Sequence, residues 1–242
     1  GKAIGDGATA RSNQLLVLTA SNNLPTVDTL ILNSTDLSND TNQNLTAYAT
    51  TSDANDDDVK VIYNWMINGS SRTLVNLPWE ANGGDNATDF SGLGNGISFS
   101  GTKPTHNLSG GFDGKGAYDF TQGDGGEIVL MDTIDPTNYT IEAWIRPTDV
   151  TFTGIIARSN DIGPGTSTSH EIRITAGSKF EHRTLDGGGN NLVTGSTTIV
   201  AGDWYHVAAV ASNNGEMRLF VNGVEEGTSI TLGTLDTDFD RY

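Results

Sequence analysis

The chain contains no cysteine, so neither a disulfide, a thiol nucleophile nor a thiolate metal site can contribute to its fold or chemistry. A secreted origin stays open, because a β-sandwich of this size buries enough core without covalent staples. Basic residues are scarce: 13 Lys and Arg stand against 30 Asp and Glu, a formal charge of −17. That charge repels phosphate backbones and anionic lipid, which excludes nucleic acid as a partner and favours solubility or cation binding. No apolar run reaches the ~20 residues of a membrane-spanning helix. Gly1 opens without a signal-peptide pattern, as in a mature or excised part of a longer product. Helical periodicity is missing too: nearly every periodic segment alternates with period two, with Gly, Asn, Asp and Thr in the gaps. These absences point to an all-β protein.

The strongest local signal is Trp204-Tyr-His-Val-Ala-Ala-Val210 followed by Met217-Arg-Leu-Phe-Val-Asn-Gly-Val-Glu-Glu-Gly227. It reads as a strand and then a hairpin closed at Asn222-Gly223, since both turn residues of a tight hairpin must accept positive φ. Upstream, Tyr139-Thr-Ile-Glu-Ala-Trp-Ile-Arg-Pro147 supplies a further strand. Together with Asp89-Phe-Ser-Gly92 and Gly114-Lys-Gly-Ala-Tyr-Asp-Phe120, the pattern resembles a laminin G-like domain of the concanavalin A-like jelly-roll superfamily, over about residues 86 to 235. The resemblance implies two packed antiparallel sheets over 81–242. It also implies one calcium ion between the opening Asp turn, here Asp89, and an Asp-Glu pair on a closing strand. That pair is absent, so the expected site would need residues outside this chain and the expected jelly roll lacks its closing strand.

Before the jelly roll, residues 23–80 read as a small immunoglobulin-like or polycystic-kidney-disease-like sandwich. Its expected strands are Val27–Leu32, Asn44–Thr50, Val59–Ile67 and Arg72–Val75, with Trp65 as core anchor on the face of Val59, Val61, Tyr63 and Ile67. Residues 1–22 add a single apolar strand. A lone strand cannot satisfy its own backbone groups, so it is either the remnant of a preceding module or a donor strand. In the second case Asn13, Gln14, Leu15, Leu16, Val17, Leu18 and Thr19 would fill an incomplete sheet of a neighbouring copy, head to tail, and build a filament.

Candidate sites are few. Asp53, Asn55 and Asp57 match the first three ligand positions of a calcium loop, but Asp58 stands where glycine is required and Asn64 where the bidentate Glu belongs. Sequons occur at Asn33, Asn39, Asn44, Asn68, Asn86, Asn107 and Asn138, which supports an extracellular or cell-surface location. His106, His170 and His182 fall in expected loops or strand edges without a second metal ligand at suitable spacing. Glu142 reads as half of an edge ion pair near Arg146, and no Glu-x-Asp-x-x-Glu run of a glycosidase is present. No enzymatic role is expected. For glycans, the expected contacts are Phe152, Asn190 and Asn191, whereas Trp144 and Trp204 read as packing residues. The expected role is a structural or adhesive cell-surface protein, self-associating as a filament or linked to other modules of one polypeptide. The alternative is a carbohydrate-binding module of a larger secreted protein.

Overall fold

The computed structural model describes residues 23–38, 40, 42–57, 59–80, 88–121, 127–130, 136–151, 153–159, 168–187 and 189–235, and their regular structure is β throughout. Expectations at Asn13–Thr19, Asn39, Asn86, Asp58 and Phe152 lie outside these residues. The chain divides into two compact units, Gly1–Val61 and Ile62–Tyr242.

In the first unit, β1 (Thr26–Ser34) and β2 (Leu45–Ser52) form an antiparallel pair. The register sets Leu30 opposite Ala49, Leu32 opposite Ala47 and Ser34 opposite Leu45, so one face is apolar. Thr29 and Thr50 share a hydroxyl hydrogen bond of 2.6 Å on the other. The apolar face is open: Leu30 is 67%, Leu45 60% and Leu32 54% exposed.

The expected strand at 59–67 does not form. Only Met66–Ile67 (β3) pairs, with Ser70–Ser71 (β4), across the Asn68-Gly69 turn. Trp65 and Tyr63 are 43% and 42% exposed, so Trp65 anchors no core. Arg72–Val75 is likewise not a strand. The reason is side-chain competition for the backbone. The Asn76 amide donates to Tyr63 O (3.2 Å) and Asn64 Nδ2 to Ser91 O (2.7 Å), which ties this stretch to the loop around Asp89 rather than to a ladder.

The second unit continues through β5 (Ile97–Ser100), β6 (Thr105–Asn107), β7 (Ala117–Asp119) and β8 (Glu127–Leu130), where β5 pairs with β8 and β6 with β7. Its body is two four-stranded antiparallel sheets. One contains β10 (Thr153–Ser159), β11 (Thr168–Ile174), β12 (Phe180–Asp186) and β13 (Gly189–Thr194), in that order. The other is ordered β16 (Val224–Thr231), β15 (Glu216–Val221), β14 (Tyr205–Ser212), β9 (Asn138–Ile145). Alternation aims Ile172, Ile174, Phe180 and Val193 of the first sheet and Tyr205, Val207, Ala209, Met217 and Leu219 of the second into one shared core. Beyond β16, Leu232 and Leu235 are buried in the same core, and Leu235 bridges to Asp186.

His170 and His182 are not loop or edge residues. They occupy inward positions of β11 and β12, both fully buried, because they alternate with Ile172 and Phe180. Three of their four ring nitrogens meet internal partners. Tyr139 Oη lies 3.0 Å from His182 Nε2 and 2.9 Å from Thr184 Oγ1, and Thr184 Oγ1 also bonds His170 Nδ1. His182 Nδ1 is 3.0 Å from Arg218 O, which makes it the protonated nitrogen. Burial pushes the pKa of His182 down to about 4.

Candidate functional site

Along β9, Tyr139 and Ile141 face inward, so Thr140, Glu142 and Trp144 must face out. Along β14 the outward set is His206, Ala208 and Val210, and along β15 it is Arg218 and Phe220. The registers place Trp144 opposite His206, Glu142 opposite Ala208, and Ala208 opposite Phe220, which in turn faces Glu225. Large apolar groups here are not core residues: Trp144 is 47% exposed. The expectation that Trp144 packs inside fails because the strand's alternation assigns it the solvent face.

A loop brings a second ring onto this surface. Phe112, itself 52% exposed, stacks on Trp144 with centroids 3.6 Å apart and planes 11° from parallel. Trp204 meets Phe112 edge-on at 6.1 Å, and the His206 ring lies 5.2 Å from Trp144. The Arg146 guanidinium covers Trp204 at 5.2 Å, and His206 Nε2 is 3.6 Å from Glu142 Oε2. Glu142 is therefore partnered by His206 and not, as expected, by Arg146, which lies against an aromatic face instead.

Both supports of this ledge are built into the chain. The loop that carries Phe112 is closed by Gly111 N to Lys115 O (2.7 Å) and by Lys115 N to Asp113 Oδ1 (3.1 Å). A Cβ at Gly116 would stand 2.0 Å from Trp79 O, so only glycine lets the loop sit there. At the opposite end, Asn222 (φ 51°) and Gly223 (φ 79°) form the hairpin turn. Asn222 N donates to His206 O (2.8 Å) while His206 N donates to Asn222 Oδ1 (2.9 Å), fixing the strand that carries His206. Charges on this face are balanced locally: Arg218 pairs with Glu216 and lies 3.7 Å from Glu225. The hydrogen bond and charge of Glu216, helped by Glu225, push the Arg218 pKa up.

The outer face of the other sheet is also polar, but its groups are engaged with one another. Arg173 Nε donates to Glu181 Oε1 (2.7 Å), Thr194 Oγ1 to Glu181 Oε2 (2.6 Å), and Arg183 Nη2 to Asn190 Oδ1 (2.8 Å). Glu171 is 1% exposed between Arg173 and Arg183, at 3.6 and 3.7 Å. Its burial pushes the carboxyl pKa up against the lowering pull of both arginines. Asn190, expected to face a ligand, thus serves Arg183, and Asn191 donates to Gly189 O (3.4 Å).

The remaining sequence candidates are dispersed. Asp89 Oδ1 accepts from Asn76 N (2.8 Å) and Ser91 N (2.9 Å), and its Oδ2 from Ser91 Oγ (2.6 Å) and Asn95 Nδ2 (2.7 Å). Those four donors hold its pKa down, although burial, the largest single influence, works the other way. These donors organise the turn that Asp89 opens. Asp53 Oδ1 accepts from Asn55 N (2.7 Å) and Asp57 N (3.3 Å), while Asn55 Oδ1 accepts from Asn23 N (2.9 Å). Among the described residues, no three His, Asp or Glu side chains gather where a metal ion could be held. Of the sequons, Asn44, Asn68 and Asn138 are exposed, while Asn33 and Asn107 are half-buried. Phe112 was the residue that sequence reasoning missed. Its signal was slight, one aromatic inside a glycine-rich loop.

The family described as the concanavalin A-like lectin/glucanases superfamily matches residues 113–241, more than half of the chain. No curated protein matches the sequence. Among solved structures, the chain is similar to botulinum neurotoxin type C, whose cell entry is dependent upon interaction with two ganglioside molecules (TM-score 0.49, 15% identity, 69% of this chain and 40% of that one). It is similar also to the binding domain of Paraclostridial Mosquitocidal Protein 1 (TM-score 0.46, 16% identity, covering 65% and 41%). A third is Domain 4 of AbnA, a GH43 extracellular arabinanase from Geobacillus stearothermophilus, in complex with arabinotriose (TM-score 0.42, 20% identity, covering 63% and 74%). The chain spans about two fifths of the length of the toxin structures. Among the described residues, no helix is long and apolar enough to cross a membrane.

Proposed function

This chain belongs to the concanavalin A-like lectin/glucanases superfamily, and from that premise we propose that it is a non-catalytic carbohydrate-binding module of a secreted or cell-surface protein. One observation carries the assignment to a particular surface: the half-exposed Phe112–Trp144 stack on the outer face of the β9–β14–β15–β16 sheet, with Trp204 beside it. Aromatic side chains leave solvent when they can, and a half-exposed pair held by a rigid loop represents apolar area that a ligand would cover. A sugar ring has the matching character, apolar C–H faces rimmed by hydroxyls. Glu142, His206 and Arg146 supply the acceptors and donors for that rim.

The non-catalytic part rests on partners. Glu142, on the same outward face as the stack, is matched with His206, whereas glycoside hydrolysis by the usual route needs two carboxylates. The test is a glycan array and titration calorimetry on the full chain and on Trp144→Ala. Because Trp144 faces outward, the variant should fold and lose affinity by about tenfold or more. Equal binding by the variant, or release of reducing ends from any bound glycan, would defeat the proposal.

A second reading is favoured by a separate observation. The β1–β2 pair keeps a face of Leu30, Leu32 and Leu45 largely in solvent, and a two-stranded sheet is marginal by itself. In a head-to-tail polymer, residues Asn13–Thr19 of a neighbouring copy would add a strand there. Such a structural role is compatible with a glycan-binding second unit, and the two are tested independently.

A further inference from the structure

Resting on the reading of this face as a glycan-binding surface, we infer that it accepts an extended neutral saccharide chain laid across β9, β14 and β15, and not a single terminal sugar. The outward position at the middle of the face is Ala208, with Glu142 on one neighbouring strand and Phe220 on the other. Trp144 and His206 occupy the adjacent row. A methyl group ringed by large side chains makes a floor, and Ala208 is only 8% exposed although it points away from the core. The floor has aromatic walls at both ends, the Phe112–Trp144 stack over β9 and Phe220 on β15. Those strands are two interstrand spacings apart, about 10 Å. One sugar ring cannot touch both walls, whereas consecutive residues of a chain can.

Polar groups are distributed in the same way. Glu142 and His206 stand beside the first wall, and Arg218 and Glu225 beside the second, each pair in mutual contact at 3.6 and 3.7 Å. Each can donate to and accept from hydroxyls. The face carries Glu142, Glu216 and Glu225 against Arg146, Arg218 and the imidazole of His206, within a chain of charge −17. There is no surplus of positive charge to hold a carboxylated or sulfated sugar, so the fitting class is neutral.

The experiment is calorimetric titration of the full chain with β-1,3- and β-1,4-linked gluco-oligosaccharides from monosaccharide to hexasaccharide, alongside oligogalacturonides of equal length. Wild type, Trp144→Ala, Phe220→Ala and Ala208→Leu are compared, with circular dichroism to verify the fold. In a neutral series, wild-type affinity should rise with length and then level off. Phe220→Ala should lose about tenfold for the longest members and little for the shortest. Ala208→Leu raises the floor and should act in the same length-dependent way. Affinity that does not change with length, or tighter binding of the galacturonides, would overturn this inference while leaving a glycan-binding ledge in place. If no saccharide binds, or if Trp144→Ala binds as wild type does, the underlying reading fails as well.

Discussion

Gly227 in β16 has φ +74°, and a Cβ there would stand 2.6 Å from Thr194 O and 2.9 Å from Val193 Cγ1 of β13. At this residue an edge of one sheet touches the other, and a side chain would push them apart. Gly223, at φ +79° with nothing near its absent Cβ, offers the contrast. Gly223→Ala should cost about 1 kcal/mol from positive φ alone, and Gly227→Ala about 2 kcal/mol or more, because backbone must also move. Urea unfolding of the two variants measures the difference. The sequence showed a glycine at both places and could not rank them, because the colliding carbonyl belongs to a strand more than 30 positions away. The same limit hid Phe112, whose importance comes from the distant Trp144 ring on which it rests.

At the scale of elements, local rules performed well where the partner strand is adjacent in sequence. β15 and β16 form the hairpin that Asn222-Gly223 announces, and β9 and β14 lie where alternation puts them. They performed badly at 59–67, where the carbonyl at Tyr63 of an alternating stretch is taken by the Asn76 side chain. The apolar face of β1 and β2 bears on the polymer reading. Deleting residues 12–20 should leave the circular dichroism of the jelly roll unchanged while abolishing any assembly seen by light scattering. Unaltered assembly of the truncated chain would rule out strand donation.

At the scale of the whole molecule, one buried group links both sheets to pH. His182 belongs to β12, yet its ring bonds Tyr139 of β9 and the Arg218 carbonyl of β15. Its folded pKa is about 4 against an ordinary 6.5, so the unfolded chain takes up a proton at a pH where the folded one does not. Stability from this group is complete above about 6.5 and falls as pH drops towards 4, by about 3 kcal/mol in all. Glu171 acts in the opposite sense: its raised pKa makes a contribution that is present below the ordinary 4.5 and is lost as pH rises. Comparing urea midpoints of wild type and His182→Asn between pH 7.5 and 4.5 isolates the histidine, and a slope that the variant leaves unchanged would refute it. The sequence alone determined that the chain is all-β and that strands end at particular turns, because period-two alternation and Asn-Gly chemistry are local; the jelly roll in its C-terminal part was implied by the resemblance to a known family. Only the tertiary structure decided that His170 and His182 are buried, that Trp144 faces solvent and that Phe112 lies upon it. Alternation divides a strand's residues between two faces, but which face meets another sheet depends on strands folded in from elsewhere in the chain.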